Sequence, residues 1–340
     1  MDTILVLLHT EADGTLAKPA LEALGAAAEL GGTLVVGLIG KDVQPAADSI
    51  ASCGAAKYYG VSGDEFAQAR YSSDAAAAEA ICKEANPTVV IVPATSRWNR
   101  VLSGVAHRLG GRVDTHVTGV SRTEGALSAA RWYYRQRMEA VVQRTHRPWC
   151  IALEAGCHEA CAAGAGKATV ENVNVILSEA ARQTTVTGIK TVAADQQTIR
   201  PDAKLLFVTG AGWTKKQPDG KAHVEEAAKI ILEFLQHSQA SLGGTKSLVD
   251  LGGEGQTVLP FMTHLNQIGQ TGSTPRHPKG LSTCCHGEEP HVIGWRFVNE
   301  RRAINLDPNC PWAHGKADVL YVADALQVMS KVNELLAAKK

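Results

Sequence analysis

Along the first half of the chain, short continuous apolar runs alternate with stretches of helical period. Ile4-Leu-Val-Leu-Leu8 reads as a buried strand, and Ala17 to Glu29, rich in alanine and leucine, as a helix that Gly31-Gly32 closes. Thr33 to Ile39 predicts the next strand, Pro45 to Cys53 a short helix, Lys57-Tyr58-Tyr59 a brief strand and Asp74 to Ala85 a helix. Pro87 precedes Thr88-Val-Val-Ile-Val92, whose unbroken β-branched run suits a parallel strand covered on both faces. Ser103 to Leu109 is again helical. Strands alternating with helices call for a parallel sheet with helices on both sides. Gly119 to Pro148 reads instead as β-rich, and Val170 to Ile176 as one further strand.

Ala181 to Pro201 is polar with little amphipathic period, as expected of a linker. A second α/β pattern begins at Leu205-Leu-Phe-Val208. Glu225 to His237 is a strongly periodic helix, Ser247-Leu-Val249 a short extended segment, and Val258 to Thr263 leads into a glycine-rich turn. Ala303-Ile-Asn305 and Val319-Leu-Tyr-Val322 read as strands, and Ala323 to Ala338 as an amphipathic helix before Lys339-Lys340. A single core would be unusually large at 340 residues. The expected fold class is therefore α/β, with two doubly wound parallel-sheet domains over 1–180 and 204–340 and a linker over 181–203.

Charge changes this picture by what it excludes. Lysine plus arginine and aspartate plus glutamate both number 34, so no sequence-wide field favours nucleic acid or an anionic membrane. Arg131-Trp-Tyr-Tyr-Arg-Gln-Arg137 interleaves bases with aromatics, but it is short, and we read it as an extended strand packing its rings. Ala94-Thr-Ser-Arg-Trp-Asn-Arg100, polar and basic after a strand, reads as a loop: either a docking surface for a nucleotide or partner subunit, or a solvated connection. No apolar run has the length of a membrane span, and the N-terminus lacks a basic n-region, so a cytoplasmic protein is expected. The eight cysteines are irregularly spaced, which suits reduced thiols. Cys150, Cys157 and Cys161 match neither a zinc pair nor a ferredoxin run, and no metal site is expected.

Candidate chemistry gathers in the C-terminal half. In Asn266-Gln-Ile-Gly-Gln-Thr-Gly272, glycines bracket two hydrogen-bonding side chains, which lets backbone N–H groups approach a ligand closely. Ala303-Ile-Asn-Leu-Asp-Pro308 ends a short strand in Asn305, at the kind of carboxyl edge where open parallel sheets hold nucleotides. Thr209-Gly210-Ala211-Gly212 follows a strand directly and can face a diphosphate, while the GxGxxG fingerprint of nicotinamide sites is absent. Thr245 and Lys246 offer a hydroxyl and a cation on the next loop. We find neither a Ser-His-Asp set nor a convincing paired-carboxylate site.

Val208-Thr-Gly210, Gly243-Gly-Thr-Lys246, Ile268-Gly-Gln-Thr-Gly272 and Ala303-Ile-Asn-Leu-Asp-Pro308 occur in the order and spacing seen in electron-transfer flavoprotein α subunits, which the chain resembles over nearly its whole length. The resemblance implies an FAD-binding, Rossmann-like C-terminal domain. Thr209 and Gly210 would lie by the diphosphate, and Thr245, Lys246, Gly269, Gln270, Thr271 and Gly272 by the isoalloxazine. His286, Gly287 and His291 would form the segment that closes near the ring, and Asn305 and Asp318 would reach the adenosine half. It further implies a β-subunit partner, a flavin or iron–sulfur dehydrogenase as electron donor, and a quinone-linked oxidoreductase or similar acceptor. Two positions depart from the family: Gly212 stands where an arginine is usual, and Cys284-Cys-His-Gly-Glu-Glu-Pro290 replaces a small-residue turn. These departures support an alternative, a family-derived structural or docking subunit with altered or lost flavin binding. A nucleotide-binding regulatory or transferase protein is a third reading.

Overall fold

The computed structural model describes residues 2–123, 125–133, 138–162, 164–188, 199–200, 203–245, 248, 257–268, 274–283, 297–309 and 317–338. The chain divides into two compact units, Met1–Ile189 and Lys190–Lys340.

The first unit is built from β1 (Thr3–His9), α1 (Lys18–Glu29), β2 (Thr33–Gly40), α2 (Gln44–Ser49), β3 (Lys57–Ser62), α3 (Asp64–Ala67), α4 (Tyr71–Ala85), β4 (Val89–Pro93) and α5 (Ser96–Arg108). β5 (Arg112–Thr123), β6 (Ala126–Tyr133), β7 (Met138–Gln143), β8 (Trp149–Leu153) and β9 (Val170–Asn172) complete it. The nine strands lie in the order β7-β6-β5-β8-β4-β1-β2-β3-β9. β1 and β4 are buried from both sides, as their continuous apolar runs require: Ile4, Val6 and Leu8 pack with α1 and α2, while Leu5 and Leu7 pack with α4 and α5. Asn86, left-handed at φ 43°, ends α4 and returns its N–H to the Cys82 carbonyl. The sheet is mixed rather than wholly parallel, because β6 runs antiparallel to both of its neighbours, β5 and β7. The aromatic-basic run begins on β6, where Arg131 reaches back to Asp114.

The polar segment 94–100 is not a loop. Thr95 caps α5 by accepting the Trp98 N–H, so the helix starts at Ser96. Arg97 and Trp98 then point into the core, and Arg97 forms a bidentate pair with Asp74 at 2.9 and 2.6 Å. A third bond from Arg97 to the Phe66 carbonyl helps offset the cost of burying the guanidinium. Beyond β9, the first stretch of the expected linker is tied to this unit: Ser72 donates to the Ala181 carbonyl and Arg70 to that of Thr184.

The second unit comprises β10 (Leu205–Thr209), α6 (Val224–Ser238), β11 (Ser241–Gly244), β12 (His277–Thr283), β13 (Val298–Asn305), β14 (Val319–Val322) and α7 (Ala325–Ala337). Its five strands are all parallel, in the order β11-β10-β12-β13-β14. One face packs on α6 and α7 through Phe207, Ile231, Phe234, Ile304 and Met329. Leu206, Val208, Ile268, Val298 and Ala303 form the core of the other face. Among the described residues, no helix is long and apolar enough to cross a membrane.

Candidate functional site

The second sheet reverses its direction of growth between β10 and β12. From β10 the chain passes through α6 to β11 on one side, then returns to lay β12 against the other side of β10. In an open parallel sheet, the crevice outside the carboxyl ends of two such strands is where a nucleotide binds. Here those ends are Thr209 and Thr283, which are register partners.

The local hydrogen bonds set this edge. The Gly210 N–H donates to the Thr283 carbonyl at 2.9 Å, and the Thr245 N–H to the Thr209 carbonyl at 3.2 Å. The Thr209 hydroxyl donates to the Gly243 carbonyl at 3.2 Å. After β10 a single 3₁₀ turn, Ala211–Thr214, buries the Trp213 indole in the core shared with Phe207 and α6, and its Nε1 donates to the Thr283 hydroxyl at 2.8 Å. Gln217 fixes the following turn by donating to the carbonyls of Gly212 and Lys215, both at 3.0 Å. On the far side, Asn305 ends β13 and accepts the Asp307 N–H at 3.2 Å, an Asx turn ahead of Pro308. A small, shallow hollow opens beside it, lined by Gln217, Asn305, Leu306, Asp324 and Ala325.

The structure thus brings Thr209, Gly210, Thr245 and Asn305 to one sheet edge. Asp318 does not join them. It precedes β14 at the amino end, about 13 Å of strand from the carboxyl edge. There it is engaged by Arg301, through the backbone N–H at 2.7 Å and Nη2 at 2.8 Å. Burial acts to raise the Asp318 carboxyl, but the Arg301 hydrogen bonds and charge outweigh it and hold its pKa below the usual value. Lys246, Gly269, Gln270, Thr271, Gly272, His286, Gly287 and His291 lie outside the described residues.

Sequence reasoning missed β12 entirely, and with it Thr283. It also passed over Asn266 and Gln267, which precede the glycine turn. A side-chain amide two or three residues before a Gly-rich turn was the available signal. Among the described residues, no group of three or more His, Cys, Asp or Glu is placed to hold a metal ion.

Comparison with known proteins identifies the family. The family profile described as the electron transfer flavoprotein domain matches residues 4–178. The chain is a divergent member of the electron transfer flavoprotein α-subunit family. It is 27% identical to an electron transfer flavoprotein subunit alpha of Syntrophomonas wolfei over 95% of this chain and 96% of that protein. It is 26% identical to one of Clostridium acetobutylicum, over 96% of this chain and 94% of that protein. The protein FixB of Clostridium saccharobutylicum is 27% identical, over 96% of this chain and 93% of its own length.

Proposed function

We propose that this chain is the α subunit of a heterodimeric electron-transfer flavoprotein and holds FAD at the carboxyl edge of its second sheet. The observation that carries the reading is the coincidence of the switch between β10 and β12 with Thr209, Gly210 and Thr283, beside the ends of β11 and β13. The residues present fit the group. Two buried side-chain atoms at this edge, Asn266 Nδ2 and Gln267 Oε1, have no partner among the described residues, and a bound heterocycle would supply one. FAD, when bound, supplies the reversible electron chemistry.

The protein's residues position the group and bias it. The turn that follows Gly210, whose own N–H is spent on the Thr283 carbonyl, lies where a diphosphate would sit. Gly212 takes the place of the family's arginine, and Lys215 and Lys216, on the same turn, supply positive charge instead. Thr245 with Lys246, and Gln270, Thr271 and His291, address the ring. Asn305 holds the adenosine side. No side chain transforms a substrate. The chain pairs with a β subunit, accepts electrons from a flavin or iron–sulfur dehydrogenase, and delivers them to a quinone-linked oxidoreductase or similar acceptor, in the cytoplasm.

One observation favours the second reading, a structural or docking subunit. The Thr209 hydroxyl and the Gly210 N–H are both engaged within the sheet, and the Thr283 hydroxyl is engaged by Trp213 and the Val208 carbonyl. The absorption spectrum of the complex purified from its source separates the two. Flavin absorption in the blue at one FAD per α chain, identified after acid release, supports the first reading, and a colourless stoichiometric complex supports the second.

A further inference from the structure

We propose that Asn266 and Gln267 are binding residues for the flavin nucleotide, holding the edge of a nitrogen heterocycle by a donor from one carboxamide and an acceptor from the other. The inference rests on the flavin-binding reading above and deepens it.

Thr263 opens a single 3₁₀ turn, His264–Asn266, with a reciprocal cap. Asn266 Oδ1 accepts the Thr263 N–H at 2.9 Å and the Thr263 hydroxyl at 3.3 Å, which fixes the orientation of the amide. Its Nδ2 therefore points away from the cap, is wholly buried, and has no partner among the described residues. The next residue, Gln267, forms a parallel bridge to Gly244 at the end of β11, and its Oε1 is likewise buried without a partner. Ile268 then donates its N–H to the Gly244 carbonyl at 3.2 Å, so both amides are pinned to the carboxyl edge immediately ahead of the glycine-bracketed turn.

Buried polar atoms without partners are rare, because desolvation is not repaid. Two on consecutive residues, one donor and one acceptor, at the edge where a nucleotide belongs, are explained by a ligand that pairs with both kinds. The pyrimidine edge of an isoalloxazine carries carbonyl acceptors around an N–H donor, and the adenine edge carries a ring acceptor beside an amino donor. Either is a match in hydrogen-bonding chemistry.

The test uses the full complex, deflavinated and titrated calorimetrically with FAD, riboflavin and ADP. Asn266→Asp keeps the oxygen that caps Thr263 and removes the donor. Gln267→Met keeps the length and removes the acceptor. Each variant is expected to weaken FAD binding roughly tenfold or more, while the thermal midpoint of deflavinated Gln267→Met does not fall. Asn266→Leu, of similar size and without a donor, serves as a second variant should Asn266→Asp fail to fold. A loss in the riboflavin arm assigns the contact to the isoalloxazine, and a loss in the ADP arm assigns it to adenine. Unchanged FAD affinity in folded variants overturns this inference alone. Failure of the unmodified complex to bind flavin overturns it together with the reading on which it rests.

Discussion

Trp213 is hydrogen-bonded to Thr283 where β10 and β12 end side by side. The indole Nε1 donates to the Thr283 hydroxyl at 2.8 Å, and that hydroxyl donates onward to the Val208 carbonyl at 3.1 Å. Both side chains are fully buried. The hydroxyl both accepts and donates, so the turn after β10 is fixed against the end of β12.

Replacing Trp213 with Phe removes the donor and leaves Thr283 bonded to Val208. The expected loss is about 1 kcal/mol in chemical denaturation. Trp213→Ala also opens a cavity and is expected to cost about 3–5 kcal/mol. Equal losses for the two would place the stabilisation in the hydrogen bond alone, contrary to this account.

Gly243 admits Ile268 to the sheet. A Cβ there would lie 2.3 Å from Ile268 Cδ1 and 2.7 Å from Cγ1, so Gly243→Ala must displace the residue that leads into the glycine turn. The expected cost is about 1–3 kcal/mol of stability with weakened flavin affinity. Ile268→Val, which removes the nearer atom, is expected to recover part of both in the double variant, and a double-mutant cycle measures the coupling.

Asp114 anchors the antiparallel extension of the first sheet. Its buried carboxylate accepts from Arg131 Nη1 and Arg144 Nη2 at 2.8 Å and from Trp149 Nε1 at 2.9 Å. Burial alone would raise this carboxyl, but the bonds from Arg144 and Trp149 and the two arginine charges outweigh it, and its pKa is lowered from 3.8. The stability it contributes is present above its unfolded pKa and is lost as pH falls through the lower folded value. Asp114→Asn should abolish that acid-dependent loss. It should cost at or below the lower end of about 3–5 kcal/mol, since both arginines partly reach solvent. Unfolding midpoints from pH 2 to 7 check the slope and the offset.

His9 behaves in the opposite chemical sense with the same pH direction. Burial first, then the Arg97 charge, push its imidazole from 6.5 to about 4. The unfolded chain binds the proton more readily, so stability present above pH 6.5 declines as pH falls towards 4. His9→Phe should flatten the stability profile across that window, and an unchanged slope would reject the assignment.

The first sheet was legible where burial on both faces demanded continuous apolar runs, as in Ile4 to Leu8 and Thr88 to Val92. The start of α5 was not, because Arg97 is buried only by virtue of Asp74, 23 residues earlier, and that pairing leaves no local pattern. β12 was hidden for a related reason. His277-Pro-Lys-Gly-Leu-Ser-Thr283 has poor strand propensity, yet a Cβ on Gly280 would meet Val298 Cγ1 at 2.6 Å, so packing selects the glycine. Motif spacing singled out Thr209, Gly210, Thr245 and Asn305, which parallel register brings to one sheet edge. It misplaced Asp318 relative to them, because position in a motif does not say which end of a strand a residue occupies. Asn266 and Gln267 stood at the head of the quoted glycine stretch but were not singled out, because the buried, unmet hydrogen bonds that mark them appear only in the fold.

The central claim is that the second sheet's carboxyl edge holds the flavin nucleotide. Photolabelling of the purified, deflavinated complex with an azido derivative of FAD, followed by peptide mapping, tests it most directly. Label should fall in peptides that carry Thr209–Gln217, Ser241–Thr245, Asn266–Thr283 or Asn305–Asn309, and unlabelled FAD should compete it away. Label confined to the first unit, or no competable label at all, would contradict the account.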